Sequence, residues 1–147
     1  CVRAVVQYTQ DQACGDEVRP LTESHRATVR AAVWRTLRVI GAGPDPMTSM
    51  EALSGETDTS VKRELTRGLR DASGAASDTE LEKAASLLRD TELTVRERVV
   101  LVDFIGPHVE THDPARRALI DLFRRDPAPP VLVAIGRYLD ATDLPSR

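Results

Sequence analysis

The sequence predicts an all-α fold, a solenoid of about three and a half stacked helical hairpins. Three observations predict it. A Ser/Thr-Val-Arg/Lys triplet recurs as Thr28-Val29-Arg30, Ser60-Val61-Lys62 and Thr94-Val95-Arg96, its valines 32 and then 34 residues apart, the period of a two-helix repeat. Four positions after each valine comes another apolar residue, Val33, Leu65 and Val99, as a helix with one buried face requires. The strict alternation that would signal strands is missing.

Taken in order, residues 1–20 read as an N-terminal tether or capping helix and residues 21–147 as the repeat domain. The first repeat helix carries Val29, Val33, Leu37 and Ile40 in one stripe. Gly41 after it suits a left-handed C-terminal turn. Asp45-Pro46 supplies an N-cap and a proline at the first helical position, opening a second helix over about 46–54 that stops at Gly55. Val61, Leu65 and Leu69 repeat the first stripe. Ser77 with Glu80 then opens a second helix over about 78–90, with Leu81, Ala84, Ala85 and Leu88 on one side. Thr94 with Glu97 fits a capping box, in which each side chain satisfies an end-of-helix donor. The stripe behind it is Val95, Val99, Val102 and Ile105, and Gly106 suits another left-handed turn. Asp113-Pro114 opens a helix over about 113–125 with Ala115, Leu119, Leu122 and Phe123 on one side. A further step of 34 lands on Pro129-Pro130, where the copy has lost its Val-Arg but keeps an upstream Asp126 and an apolar run to Ile135. No hairpin alone offers a core; stacked neighbours bury a continuous one.

The stretch from Leu87 to Gly106 resembles the HEAT-repeat family: a second helix ends in an Asp, a short turn follows, and a Val-Arg opens the next first helix. The resemblance covers roughly residues 22–141 and implies a right-handed α-solenoid. In that family an Asp and an Arg around the turn tie adjacent repeats, a role it implies for Asp90 and Arg96. The short second helix of the first repeat and the two prolines of the fourth depart from the family pattern.

Composition narrows the function. The formal net charge of −3 opposes bulk attraction to nucleic acid, and apolar runs such as Val131 to Ile135 fall far below the roughly 20 residues of a membrane span. Among 20 basic residues only Lys62 and Lys83 are lysine, and Asn is absent, a bias resembling the output of a GC-rich bacterial genome. The chain starts at Cys1, which leaves three readings. It resembles the lipid-bearing first residue of a mature bacterial lipoprotein. It is otherwise a partner in a Cys1–Cys14 disulfide of an exported protein, or an ordinary thiol at a chain boundary. The first two exclude each other, because a thioether has no thiol to pair. A helix over Val2 to Ala13 would hold the cysteines roughly 20 Å apart, beyond the about 7 Å a disulfide allows.

Few residues offer chemistry. His108 and His112 stand four apart with Glu110 and Asp113 nearby, but the flanking prolines make this a solvated loop in preference to a metal site. Gly41 to Pro46 lacks the strand and the Lys-Ser/Thr pair of a phosphate loop. No Ser, Cys, His or acidic residue falls in a recognisable catalytic arrangement, so no catalytic residue, metal or cofactor is expected. The expected binding residues are Arg117, Asp121 and Arg124, on one helical face with Asp121 in reach of both arginines, and Trp34. This single tryptophan, flanked by Arg30 and Arg38, either seals the gap between repeats or serves as a contact hot spot.

The expected function is therefore a non-catalytic protein-protein interaction scaffold whose partners are other protein subunits, with no nucleic acid. The membrane enters only through a lipid on Cys1, in the bacterial cell envelope. The resemblance also implies an alternative, a nucleic-acid-binding protein like the HEAT-like alkylpurine DNA glycosylases, and a lesser one, an enzyme like the chromophore lyases.

Overall fold

A computed structural model describes residues 12–72, 76–89, 92–126, 128–140 and 142–144, which form helices and turns with no strand among them. In chain order the helices are α1 (Gln12–Val18), α2 (Ala27–Val39), α3 (Pro46–Gly55), α4 (Thr59–Asp71), α5 (Asp78–Leu87), α6 (Val95–Ile105), α7 (Asp113–Arg125) and α8 (Pro129–Ile135). Short 3-10 turns cover Arg19–Glu23 and Gly106–His108. The all-α expectation holds for these residues. Cys1 and Asp90 lie outside them.

Capping chemistry sets most of the boundaries. Asp45 Oδ1 accepts the Thr48 amide at 2.9 Å with Pro46 at the start of α3. Ser77 with Glu80 and Thr94 with Glu97 both close complete capping boxes. In the second, Glu97 Oε2 accepts the Thr94 amide at 2.8 Å. The α7 helix starts at Asp113, as expected. His112 is the N-cap, its Nδ1 accepting the Ala115 amide at 3.2 Å. An imidazole nitrogen thus serves as the capping acceptor, and Asp113 is left to pair with Arg117.

The two helix-ending glycines behave differently. Gly41 has φ +70°, the left-handed turn expected, which a residue without Cβ adopts at no steric cost. Gly106 is right-handed helical, with φ −54° and ψ −44°, and the chain runs on into the 3-10 turn. What requires glycine there is space: a Cβ on Gly106 would overlap the ring of Tyr138.

By internal contacts the chain divides into two compact units, Cys1–Gly68 and Leu69–Arg147, with the boundary inside α4. In the first unit, α1 and the following 3-10 turn pack against α2. Its buried apolar side chains include Val33, Trp34, Leu37, Ile40, Met50, Leu53, Val61 and Leu65, each contributing about 1.5–3 kcal/mol for the larger ones. Arg30 fixes the α3–α4 turn to α2. Its Nε and Nη2 each reach a Glu56 carboxylate oxygen at 2.9 Å, and Glu56 Oε1 also accepts the amides of Thr57 and Asp58.

In the second unit, α5 packs on both α6 and α7, α6 on α8, and α7 on α8. Leu81, Ala84, Ala85 and Leu88 are buried as expected, as are Ala115, Leu119 and Leu122. The α6 stripe is not the one expected. Val95 is exposed and Val99 half-buried, while Val100, Leu101 and Phe104 are buried together with Val102 and Ile105. The cause is position: α6 lies against both α5 and α8, so its C-terminal half is enclosed on more than one side and a single stripe no longer describes it.

Candidate functional site

The buried face of α7 is built from Ala115, Ala118, Leu119 and Leu122, spaced three and four apart so that one stripe points inward. The same geometry puts Arg117, Asp121 and Arg124 together on the outward face. The side chains of Arg117 and Arg124 are 76% and 60% exposed. Arg124 Nη1 lies 3.6 Å from Asp121 Oδ1. Arg117 pairs with Asp113, one turn back, rather than with Asp121. That choice follows from the His112 cap, which leaves the Asp113 carboxylate at the i−4 position of Arg117 and unencumbered by capping.

The helix's other two arginines are committed elsewhere in the unit. Arg125 donates to the Leu88 and Arg89 carbonyls at the end of α5, satisfying acceptors that a helix terminus leaves open. Arg116 pairs with Asp143. The outward face therefore alternates in sign, two guanidinium groups among two carboxylates. Such exposed pairs are worth about 0.2–1 kcal/mol, so an incoming partner exchanges them at little cost.

Trp34 is 8% exposed, in the core of the first unit. Its flanking arginines pair with buried acids, Arg30 with Glu56 and Arg38 with Glu64. Arg96 is exposed. An arginine–aspartate tie does occur two residues on, where Arg98 Nε lies 3.0 Å from Asp126 Oδ2, both largely buried. Asp126 Oδ1 also accepts the Ala128 amide at 2.9 Å, so one carboxylate joins α6 to the turn before α8. The upstream Asp126 was visible in the sequence; its partner was not.

His112 Nδ1 is occupied by the Ala115 amide, and His108 lies half-buried in the 3-10 turn. Among the described residues no three His, Cys, Asp or Glu side chains gather to hold a metal ion, and no helix among them is long and apolar enough to cross a membrane.

Two features had no sequence signal. A polar cleft of about 450 Å³ lies beside Glu110, Arg116, Arg137, Tyr138 and Asp143. On its edge Asp103 Oδ1 takes hydrogen bonds from Arg137 Nη1 and the Tyr138 hydroxyl, both at 3.2 Å. Burial, and then the neighbouring carboxylate, push the Tyr138 phenol above its ordinary pKa, so it stays a donor. The second feature is a group of arginines around the buried Glu64. Both depend on residues about 25–35 apart in the chain, although Arg67 stands only three positions after Glu64. No protein-family model matches the chain, and no curated protein or solved structure matches it either.

Proposed function

We propose that this protein is a non-catalytic protein-protein interaction module that acts by presenting the outward face of α7 to another protein subunit. The observation that carries the reading is the alternating row Asp113, Arg117, Asp121 and Arg124, exposed and, among the described residues, paired within its own helix. A protein surface with interleaved charges of both signs complements such a row. A nucleic-acid backbone does not, because Asp113 and Asp121 repel its phosphates.

The architecture belongs to the same proposal: a right-handed α-solenoid of HEAT-like hairpins, in which second helices line the binding face. In its support, α5 packs on α7 and α6 on α8 in the second unit. That is the alternate-helix contact expected where one hairpin shields the next.

The test is affinity purification from the native source with the wild-type chain and the Arg117→Glu/Arg124→Glu variant side by side. Far-UV circular dichroism checks that the variant is folded. A protein retained by the wild type and lost by the variant is the predicted outcome. Retention of the same proteins by both refutes the surface, and retention of nuclease-sensitive material refutes the partner class.

A further inference from the structure

Glu64 in α4 is buried, its side chain 2% exposed, yet three guanidinium groups gather on it. Arg35 Nη2 and Arg67 Nη1 lie 3.3 Å and 2.9 Å from Oε1, and Arg38 Nη2 lies 3.6 Å from Oε2. Arg38 has a further interaction of its own; Arg35 and Arg67 share the single charge of Glu64, so these three groups carry a surplus of one positive charge. The Arg30–Glu56 pair in the same unit shows the contrast. There a single guanidinium engages a single carboxylate through two hydrogen bonds and is itself largely buried. Around Glu64, by comparison, Arg35 and Arg67 remain 64% and 43% exposed. Each gives Glu64 one N–H, whereas a guanidinium has five in a rigid planar fork.

We propose that Glu64 organises Arg35, Arg38 and Arg67 into a cradle that docks an acidic segment of another protein. The buried carboxylate holds the inner edges of the guanidinium groups. The outer edges of Arg35 and Arg67 then meet water already oriented, as a fork that takes a carboxylate in bidentate fashion. Fixing them beforehand reduces the ordering cost that flexible arginines otherwise incur on binding. Glu64 is a positioning residue here and does not touch the ligand. The occupant is peptide rather than nucleic acid because the attraction is local. The first unit has nine basic and nine acidic residues, so it offers no extended positive track for a phosphate backbone. The cradle lies in a different unit from the α7 face and shares no residue with it, so either can fail alone.

The experiment is a titration of the full chain with octaglutamate. It is followed through the arginine Nε–Hε signals by nuclear magnetic resonance, and the dissociation constant is read from Arg35 and Arg67. Saturable shifts at these signals are expected. Arg35→Ala/Arg67→Ala, substituted at exposed positions, is expected to weaken octaglutamate binding about ten-fold or more, read from the Arg38 signal. Arg117→Ala/Arg124→Ala is expected to leave the constant unchanged. Glu64→Gln gives the sharper test: added net charge alone predicts tighter binding, whereas loss of the organiser predicts weaker binding in a chain that circular dichroism shows to be folded. Should Glu64→Gln not fold, the paired arginine variant still decides the matter. Tighter binding by folded Glu64→Gln, no change in Arg35→Ala/Arg67→Ala, or displacement of octaglutamate by an equal concentration of oligothymidylate of matching charge would each overturn the proposal.

Discussion

Gly106→Ala sets two physical effects against each other, and their magnitudes decide the sign. The backbone of Gly106 is helical, so alanine is conformationally welcome and removes unfolded-state freedom worth about 0.4–1 kcal/mol. Against this, the new methyl group overlaps the Tyr138 ring, and overpacking of this kind costs about 1–3 kcal/mol. Moving the ring aside also breaks the Tyr138 hydroxyl's hydrogen bond to the Asp103 carboxylate, adding up to about 1.5–3 kcal/mol. Packing wins. The net loss is about 1–5 kcal/mol, or roughly 3–15 °C of melting temperature for a chain of this size. Thermal unfolding followed by circular dichroism measures it, with Tyr138→Ala as a second background. In that background the clash is gone, so Gly106→Ala is expected to be neutral or mildly stabilising, a coupling that a double-mutant cycle reads directly. A Gly106→Ala protein that melts higher than wild type would refute the reasoning.

Other perturbations have equally definite outcomes. The Arg30 guanidinium holds the Glu56 carboxyl below the usual carboxylate range, and the Thr48 amide does the same for Asp45. Both groups therefore stabilise the fold above their unfolded pKa values, and that contribution is lost as pH falls through the lower folded values. The melting temperature should drop as pH falls below about 4. Glu56→Gln should start lower at neutral pH and lose less on acidification; an unchanged pH slope would contradict the assignment. Thr94→Ala removes half of a capping box and should cost about 0.5–2 kcal/mol by urea unfolding. Leu101→Ala empties a fully buried position in α6 and should cost about 2–5 kcal/mol in the same assay. Arg117→Ala and Arg124→Ala should each shift stability by less than about 0.5 kcal/mol, because their pairs are exposed and intrahelical.

What the sequence made legible was local. Capping boxes at Ser77 and Thr94, the Asp45-Pro46 start and the left-handed Gly41 all depend on residues within four positions of one another, and all stand in the structure. The apolar stripes of α5 and most of α7 were legible for the same reason. Readings failed where a distant residue decides the matter. Gly106 is glycine because of Tyr138, 32 positions away, and α6 is enclosed because α8 returns to cover it. The α7 start at Asp113 was legible too, whereas the His112 side chain that caps it carried no signal. For the candidate site, the shared face of Arg117, Asp121 and Arg124 followed from helical spacing alone. Which carboxylate each arginine takes depended on that cap, and the gathering of three arginines on Glu64 depends on how α2 meets α4, which the repeat spacing of the two helices does not specify.

The most direct test of the surface-presentation account is side-chain footprinting with photogenerated carbenes, comparing the isolated chain with its native complex. The account predicts that labelling falls on the outward residues of α7, Arg117, Asp121 and Arg124, while the buried side of that helix stays unlabelled in both states. Equal labelling of α7 in the two states, with protection confined to other elements, would contradict it.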